Sequence, residues 1–238
     1  LDFEDFESYP NGTILGSQPD WFTEGGTQVW NNGIGGSQGC TPHSNFFVWS
    51  AGDGSINRFN WSELAIGDTL VFSMDYNFGS GTNGFKQESV GFTIFPFWPY
   101  NGMDLSFNIS LDGIPEGGYG IEASWLTNSM QNPTVIIAPI PQPSFLTWYR
   151  LRAAFTKLTE TSLSIDAQVW QLDAAGKKVS LFASGSIADT SAFGAAGPHP
   201  AYFLPWDSGL GLWPVFRNDK GNPGGGDNAY FGIIPAQQ

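Results

Sequence analysis

Alternation of apolar and polar residues with a period of two is the feature of this sequence that most constrains its fold. Between Leu70 and Phe78 every second residue is apolar, and Ser73, Asp75 and Asn77 lie among them. Successive side chains of a β-strand point to opposite faces of its sheet. The pattern therefore predicts a strand with one buried face and one solvated face.

Several further segments carry the same alternation. Their apolar positions are Val90, Phe92 and Ile94; Leu105, Phe107, Ile109 and Leu111; Tyr149, Leu151, Ala153 and Phe155; and Leu163, Ile165, Ala167 and Val169. Residues 173–178 predict a hairpin turn that leads into a strand over residues 179–186. Helix signals are sparse: residues 60–63 have the spacing of a capping box, but Gly67 follows, so only about one helical turn is expected.

The number of predicted strands points to the architecture. About ten strands of this length exceed what one open, twisted sheet usually holds, which favours two stacked antiparallel sheets. The 238 residues contain no break in composition and no internal repeat. Sandwiches of about 200–250 residues often form one domain. We therefore predict a single all-β domain over residues 1–238, a two-sheet antiparallel jelly-roll sandwich.

Charge and hydropathy bear on the partners and the location of the chain. With 22 acidic and 9 basic residues, the formal net charge of −13 repels phosphate backbones, so no nucleic acid partner is expected. The longest apolar runs, such as residues 135–140, hold about six residues, whereas a membrane span needs about 20. No membrane span is therefore expected. Abundant Asn, Ser, Thr, Gly and aromatic residues are typical of extracellular bacterial β-proteins and predict secretion.

Three segments carry a family resemblance: the opening residues 1–9, residues 148–152 with the hairpin that follows them, and the closing residues 226–232. They resemble the edge, central and closing strands of the concanavalin A-like lectin/glucanase superfamily, particularly the laminin-G-like jelly rolls of secreted bacterial proteins. The resemblance implies two curved sheets, pairing of the first strand with the last, and carbohydrate as the class of ligand. A fold alone does not determine function.

Acidic residues at both ends of the chain suggest a calcium site. Calcium takes six to eight oxygen ligands from carboxylates, amides and backbone carbonyls. Related sandwiches often hold calcium between the first and last strands, so the resemblance implies structural Ca²⁺ bound by Glu4 and Asp227; no other cofactor is expected. The alternative is that the N-terminal carboxylates are merely solvated, alternating outward from Phe3 and Phe6.

The case for catalysis is incomplete. Glu122 is the best candidate nucleophile, faintly like the glutamate and downstream tryptophan of jelly-roll cellulases. A retaining glycosidase also needs a second carboxylate about 5–5.5 Å away. No glutamate follows Glu160, and neither the Glu-x-Asp-x-x-Glu strand of laminarinase-type enzymes nor a Gln-x-His lyase motif is present. Whether the chain is an enzyme stays open; the class would be glycoside hydrolase or polysaccharide lyase.

Two loops rich in aromatic residues make the positive case for sugar binding. Residues 97–102 and 204–213 contain too much Pro and Gly for inner strands. A flat ring can stack on the apolar face of a pyranose while neighbouring polar groups bond its hydroxyls. The predicted ligand-binding residues are Trp98, Tyr100, Asn101, Trp206, Asp207 and Trp213. The alternative is that these rings plug the ends of the sandwich.

A small basic patch of Arg150, Arg152 and Lys86 would attract a uronic or sulfated glycan. Scattered surface ion pairs are the alternative interpretation of these residues. Taken together, the sequence favours a non-catalytic, extracellular module that binds a polysaccharide or oligosaccharide. The competing hypotheses are a glycan-active enzyme on the same fold and a structural or adhesive surface module.

Overall fold

Strands dominate the computed structural model. It describes residues 2–18, 21–23, 28–41, 47–49, 59–77, 86–94, 106–113, 118–125, 134–144, 146–160, 162–190, 212–217 and 225–237. The strands in these ranges are β1 (Asp2–Glu4), β2 (Trp21–Thr23), β3 (Gln28–Trp30), β4 (Gly39–Thr41), β5 (Phe47–Trp49), β6 (Thr69–Asn77), β7 (Lys86–Ile94), β8 (Ser106–Gly113), β9 (Tyr119–Trp125), β10 (Thr134–Ile140), β11 (Trp148–Thr159), β12 (Ser162–Leu172), β13 (Lys178–Ile187), β14 (Leu212–Arg217) and β15 (Gly226–Ile234). Single turns of 3-10 helix span Leu15–Ser17, Ile34–Gly36 and Trp61–Glu63.

The strands form two antiparallel sheets. An eight-stranded sheet has the order β13-β12-β11-β6-β15-β4-β3, with β1 also paired to β15. A seven-stranded sheet has the order β10-β9-β8-β7-β14-β5-β2. The predicted all-β class with two antiparallel sheets is confirmed. The predicted pairing of the first strand with the last is also confirmed, with Phe3 opposite Tyr230 and Glu4 opposite Ala229.

The core lies between the two sheets and is rich in aromatic rings. Phe72 on β6 packs against Phe231 on β15, with ring centroids 5.1 Å apart, and against Phe155 on β11 at 5.6 Å. Phe92, from β7 of the opposite sheet, lies 5.4 Å from Phe155. All four rings are almost completely buried, so contacts between these large apolar surfaces join the sheets.

The apolar residues of β6 face the core as predicted, but the opposite face of the strand is buried and not solvated. Leu70 and Phe72 face the core, as expected. Ser73 and Asp75, which were expected on a wet face, are buried as well, and Asp75 has 0% of its surface exposed. A buried carboxylate needs hydrogen-bond partners, so other parts of the chain must cover the outer face of this sheet.

The predicted helical turn forms, but without the expected cap. Trp61–Glu63 is a 3-10 helix, and Asn60 makes no side-chain hydrogen bond to its backbone. Instead, the Asn60 Nδ2 donates to Glu63 Oε1 at 2.8 Å, because both side chains project from the same side of a single turn. In the described ranges, no helix has the length and apolar character that crossing a membrane requires.

Candidate functional site

A cavity of about 400 Å³ opens on the outer face of the eight-stranded sheet. Its volume falls within the range of about 300–1,000 Å³ that is usual for small-molecule sites. The residues that line this outer-face cavity are Phe3, Ser73, Arg150, Ala175, Gly176, Asn228 and Tyr230. Aromatic, amide, hydroxyl and guanidinium groups thus converge on one space, where they can contact both faces and edges of a polar ligand.

The floor of the cavity is a buried ion pair. The Arg150 Nε donates to Asp75 Oδ1 at 2.6 Å, and its Nη2 donates to Asp75 Oδ2 at 2.7 Å. The Asn228 Nδ2 donates to the same Oδ2 at 3.0 Å. Burial raises the pKa of Asp75 above its ordinary value, although Arg150 and Asn228 oppose that change. The hydrogen bond to Asp75 raises the pKa of Arg150.

A bulge in β15 places two polar residues on the outer face. Asp227 pairs with Asp75 and Tyr230 pairs with Ser73, so β15 contains one residue more than β6 over this stretch. Asn228 adopts a left-handed conformation with φ of 51°, which asparagine tolerates better than most residues. The bulge therefore directs consecutive polar side chains to one side, as bulges near functional sites often do.

Asp227 anchors the connection between β3 and β4. Its Oδ2 accepts hydrogen bonds from the Ile34 N–H at 2.9 Å and from the Ser37 hydroxyl at 3.1 Å. Its Oδ1 accepts from the Asn228 N–H at 2.8 Å. Burial raises the pKa of Asp227 to about 6. The hydrogen bonds to its carboxylate oppose this rise, and repulsion from nearby Asp75 adds to it.

The hairpin turn between β12 and β13 forms the roof of the cavity. The predicted turn is confirmed: Asp173 Oδ1 accepts from the Ala175 and Lys177 N–H groups, both at 2.9 Å. Gly176 has φ of 76°, and a Cβ there would lie 3.2 Å from Ile34 Cδ1. This close approach brings the turn against the 3-10 helix Ile34–Gly36. Two connections from opposite sides of the sheet thus meet above its central strands.

A group of basic side chains continues from the cavity onto the adjoining strands. Arg152 lies 3.5 Å from Asp166, which is half exposed. The Lys178 ammonium lies 4.7 Å from the ring centroid of Trp170. Desolvation, followed by repulsion from Arg150 and Arg152, lowers the pKa of Lys178. We call Arg150, Arg152 and Lys178 the cationic cluster.

Comparison with solved structures agrees with this topology. A double mutant of alginate lyase Aly36B in complex with alginate tetrasaccharide superposes with a TM-score of 0.52 and 10% identity, covering 99% of this chain and 98% of the other. The chain has the concanavalin A-like jelly-roll fold. Peanut lectin (TM-score 0.48, 9% identity, coverage 99% of each chain) and an endo-1,3-β-glucanase from Streptomyces sioyaensis (0.44, 11%, coverage 98% and 89%) are also similar. No family model and no curated protein sequence matches the chain.

Most of the residues predicted to bind ligand in this jelly roll lie outside the described residues. These are Trp98, Tyr100, Asn101, Trp206 and Asp207. Trp213 lies on β14, where its backbone pairs with Thr93 of β7, but its side chain is outside the described set. Their role in binding sugar stays a prediction.

Glu122 lies on the other sheet of the jelly roll, away from the outer-face cavity. Because Ile121 and Ala123 face the core, Glu122 projects to the outer side of β9, where it is only 8% exposed. Its paired neighbours are Ser110 on β8 and Ile136 on β10. Neither directly paired position carries a carboxylate, and a catalytic role for Glu122 stays a prediction.

The calcium prediction is also untested, although its two strands do pair. Glu4 Oε1 accepts a hydrogen bond from the Phe6 N–H, while Asp227 accepts those from the β3–β4 connection. Within the described ranges, no group of three or more His, Cys, Asp or Glu residues is arranged to hold a metal ion. Calcium at this position would need backbone or amide oxygens in addition to these carboxylates.

Sequence reasoning missed several residues of the site and misplaced one. Phe3, which the alternative interpretation of solvated N-terminal carboxylates placed inward, is 58% exposed and lines the cavity. Lys86 belongs to β7 of the seven-stranded sheet, but its side chain is outside the described set, so its grouping with Arg150 and Arg152 stays a prediction. Lys178 joins those arginines. The available signal was its place in the β12–β13 hairpin, next to the arginine-bearing strand.

Proposed function

We propose that this chain is an extracellular carbohydrate-binding jelly roll that holds part of a polysaccharide in the outer-face cavity. The observation that carries the proposal is the convergence of Phe3 and Tyr230 with Ser73, Arg150 and Asn228 around one space. Sugar rings combine apolar C–H faces with hydroxyl edges. A site for them needs aromatic surfaces and fixed polar groups together.

The aromatic pair supplies the surface on which a sugar could stack. Phe3 and Tyr230 are directly opposite each other on paired strands, and side chains in such positions lie next to one another on the same face. Phe3 is largely exposed before any ligand binds. Covering its ring with the C–H face of a sugar would remove apolar surface from water.

Fixed polar groups beside this pair would orient the sugar. Asp75 holds the Arg150 guanidinium by two hydrogen bonds, which leaves three of its five N–H donors for other partners. Asn228 is held by Asp75. Groups that are already ordered cost less conformational entropy when a ligand binds.

Replacing Phe3 or Tyr230 with Ala should weaken binding of any polysaccharide that the parent protein retains. We expect the affinity to fall about tenfold, equivalent to about 1.4 kcal/mol. Affinity electrophoresis in gels containing neutral or acidic polysaccharides would measure the change. Ile66→Ala serves as the control, because Ile66 is equally exposed but does not line the cavity. We expect its affinity to stay within twofold of that of the parent.

The same samples test the competing functions. Release of reducing or unsaturated ends would indicate a glycan-active enzyme, and Glu122→Gln would then be the first variant to assay. Retention that survives both aromatic substitutions would move the binding site elsewhere, first to the loops of Trp98 and Trp206. No retention by any polysaccharide would overturn the proposal in favour of a structural or adhesive module.

Calcium between β1 and β15 forms a separate part of the proposal. If Glu4 contributes to a site, millimolar Ca²⁺ should raise the thermal unfolding midpoint of the parent by about 2–4 °C, equivalent to about 1 kcal/mol. Glu4→Gln should remove that increase. Differential scanning calorimetry with EDTA and then excess Ca²⁺ measures it, and equal midpoints in both buffers for the parent would refute the site.

A further inference from the structure

The cationic cluster is unusual for a chain of this charge. Only 9 of the 238 residues are Lys or Arg, and the formal net charge is −13. Arg150 and Arg152 are two residues apart on β11. Trp170 is directly opposite Arg150 on β12, and the Lys178 ammonium lies 4.7 Å from the Trp170 ring centroid. Like charges held together cost free energy unless an anion offsets them, so their grouping on one face calls for a negatively charged partner.

Carboxylates of the chain offset this charge only in part. Asp75 lies beneath the surface and is engaged by Arg150 through two short hydrogen bonds. Asp166 meets Arg152 at 3.5 Å and is 51% exposed, and such surface pairs contribute little. Within the described residues, Lys178 has no carboxylate at salt-bridge distance. The arginine at position 152 and the lysine are therefore available to an incoming anion.

We propose that this site is selective for acidic glycans, with the carboxylate of a uronic acid residue bound by Arg152 and Lys178. This inference rests on the proposed function, because it names the substrate class of the same site. Arg150 lines the outer-face cavity and also belongs to the cationic cluster. A sugar chain lying in the cavity would therefore extend past Arg152 and Lys178. A guanidinium offers paired donors to a carboxylate, and an ammonium adds a compact charge.

The test uses ligands that differ only in the carboxylate. Polygalacturonate, polymannuronate, polyguluronate and hyaluronan are each compared with their fully methyl-esterified forms, beside neutral β-glucan and dextran sulfate. We expect at least one native uronate polymer to bind at least tenfold more tightly than its ester. Raising NaCl to 0.5 M should reduce that difference, because salt screens exposed charges.

Two substitutions locate the effect. Lys178→Met and Arg152→Gln should each weaken binding of the preferred uronate polymer about tenfold while leaving its ester within twofold. Lys177→Met is the matched control, because it removes the same charge one residue away, from the exposed turn. We expect Lys177→Met to keep at least half of the parent affinity.

The outcomes separate this inference from the proposed function. Binding of neutral glucan or esters as tightly as native uronates, with dependence on Phe3 and Tyr230, would refute acidic selectivity and leave carbohydrate binding intact. Tighter binding of dextran sulfate than of every uronate would refute the carboxylate assignment. Equal losses in Lys177→Met and Lys178→Met would show a general charge effect and refute the assignment to Arg152 and Lys178.

Discussion

Replacing Arg150 with Ala should lower the free energy of unfolding by about 3–5 kcal/mol at pH 7. The substitution leaves Asp75, which is completely buried, without its cation and with one remaining side-chain donor, Asn228. An uncompensated buried carboxylate costs far more than the lost attraction of an exposed pair. Urea denaturation monitored by tryptophan fluorescence measures the change.

Arg152→Ala is the matched control for this prediction. Arg152 lies on the same strand two residues away, and its side chain is as exposed as that of Arg150, at 27%. Its partner Asp166 is half exposed, so we expect a loss below about 1 kcal/mol. Similar losses in both variants would contradict the role assigned to the burial of Asp75.

The pH dependence of Arg150→Ala provides a second check. Burial already raises the pKa of Asp75, and removal of Arg150 should raise it further. A carboxyl group whose pKa is raised in the folded state favours folding at low pH, and this contribution is lost as the pH rises. The loss of unfolding free energy in Arg150→Ala should therefore be small near pH 4 and reach its full value at pH 7. Adding Asp75→Asn should recover part of the stability at pH 7.

The same buried pair links stability to recognition. Asp75 fixes the plane of the Arg150 guanidinium, and the complete burial of Asp75 keeps water from the carboxylate side of the pair. Electrostatic interactions are stronger where water is excluded. A ligand in the outer-face cavity would meet an arginine that is already oriented, which reduces the entropy lost on binding.

Local pattern was sufficient to predict the strands and the sandwich, because the period of alternation depends only on neighbouring residues. It could not predict burial of the outer face of β6. That face is covered by contacts between residues far apart in sequence, such as the Asp227 to Ile34 hydrogen bond, which spans 193 positions. Alternation gives the direction of Asp75 but contains no information about what lies above it.

The site was partly predictable for the same reason. Arg150 and Arg152 share a face because they are two residues apart on one strand. Placing Lys178 beside them requires the register of β12 with β13, which shifts twice through irregularities. Placing Phe3 outward requires the register of β1 with β15. A strand of three residues is too short for its alternation to define which side faces the core.

Replacing Asp227 with Asn should remove a pH-dependent loss of stability of about 3 kcal/mol. The ordinary carboxyl pKa of 3.8 rises to about 6 in the folded chain. Between these values the folded state keeps a proton that the unfolded chain has released, so rising pH favours unfolding. The free energy contributed by this group is present below about pH 4 and is lost by about pH 7.

Asparagine retains a carbonyl oxygen that can accept the Ile34 N–H bond, but it carries no charge to desolvate. The free energy of unfolding of Asp227→Asn, relative to that of the parent, should therefore increase by about 3 kcal/mol between pH 4 and pH 7. Urea denaturation across this range, in EDTA so that no bound ion contributes, measures the difference. Asp166→Asn controls for loss of one negative charge on the same face. If the free energy of the parent rises relative to Asp227→Asn with increasing pH, the hydrogen bonds to Asp227 outweigh its burial, and its carboxylate stabilises the roof as an anion.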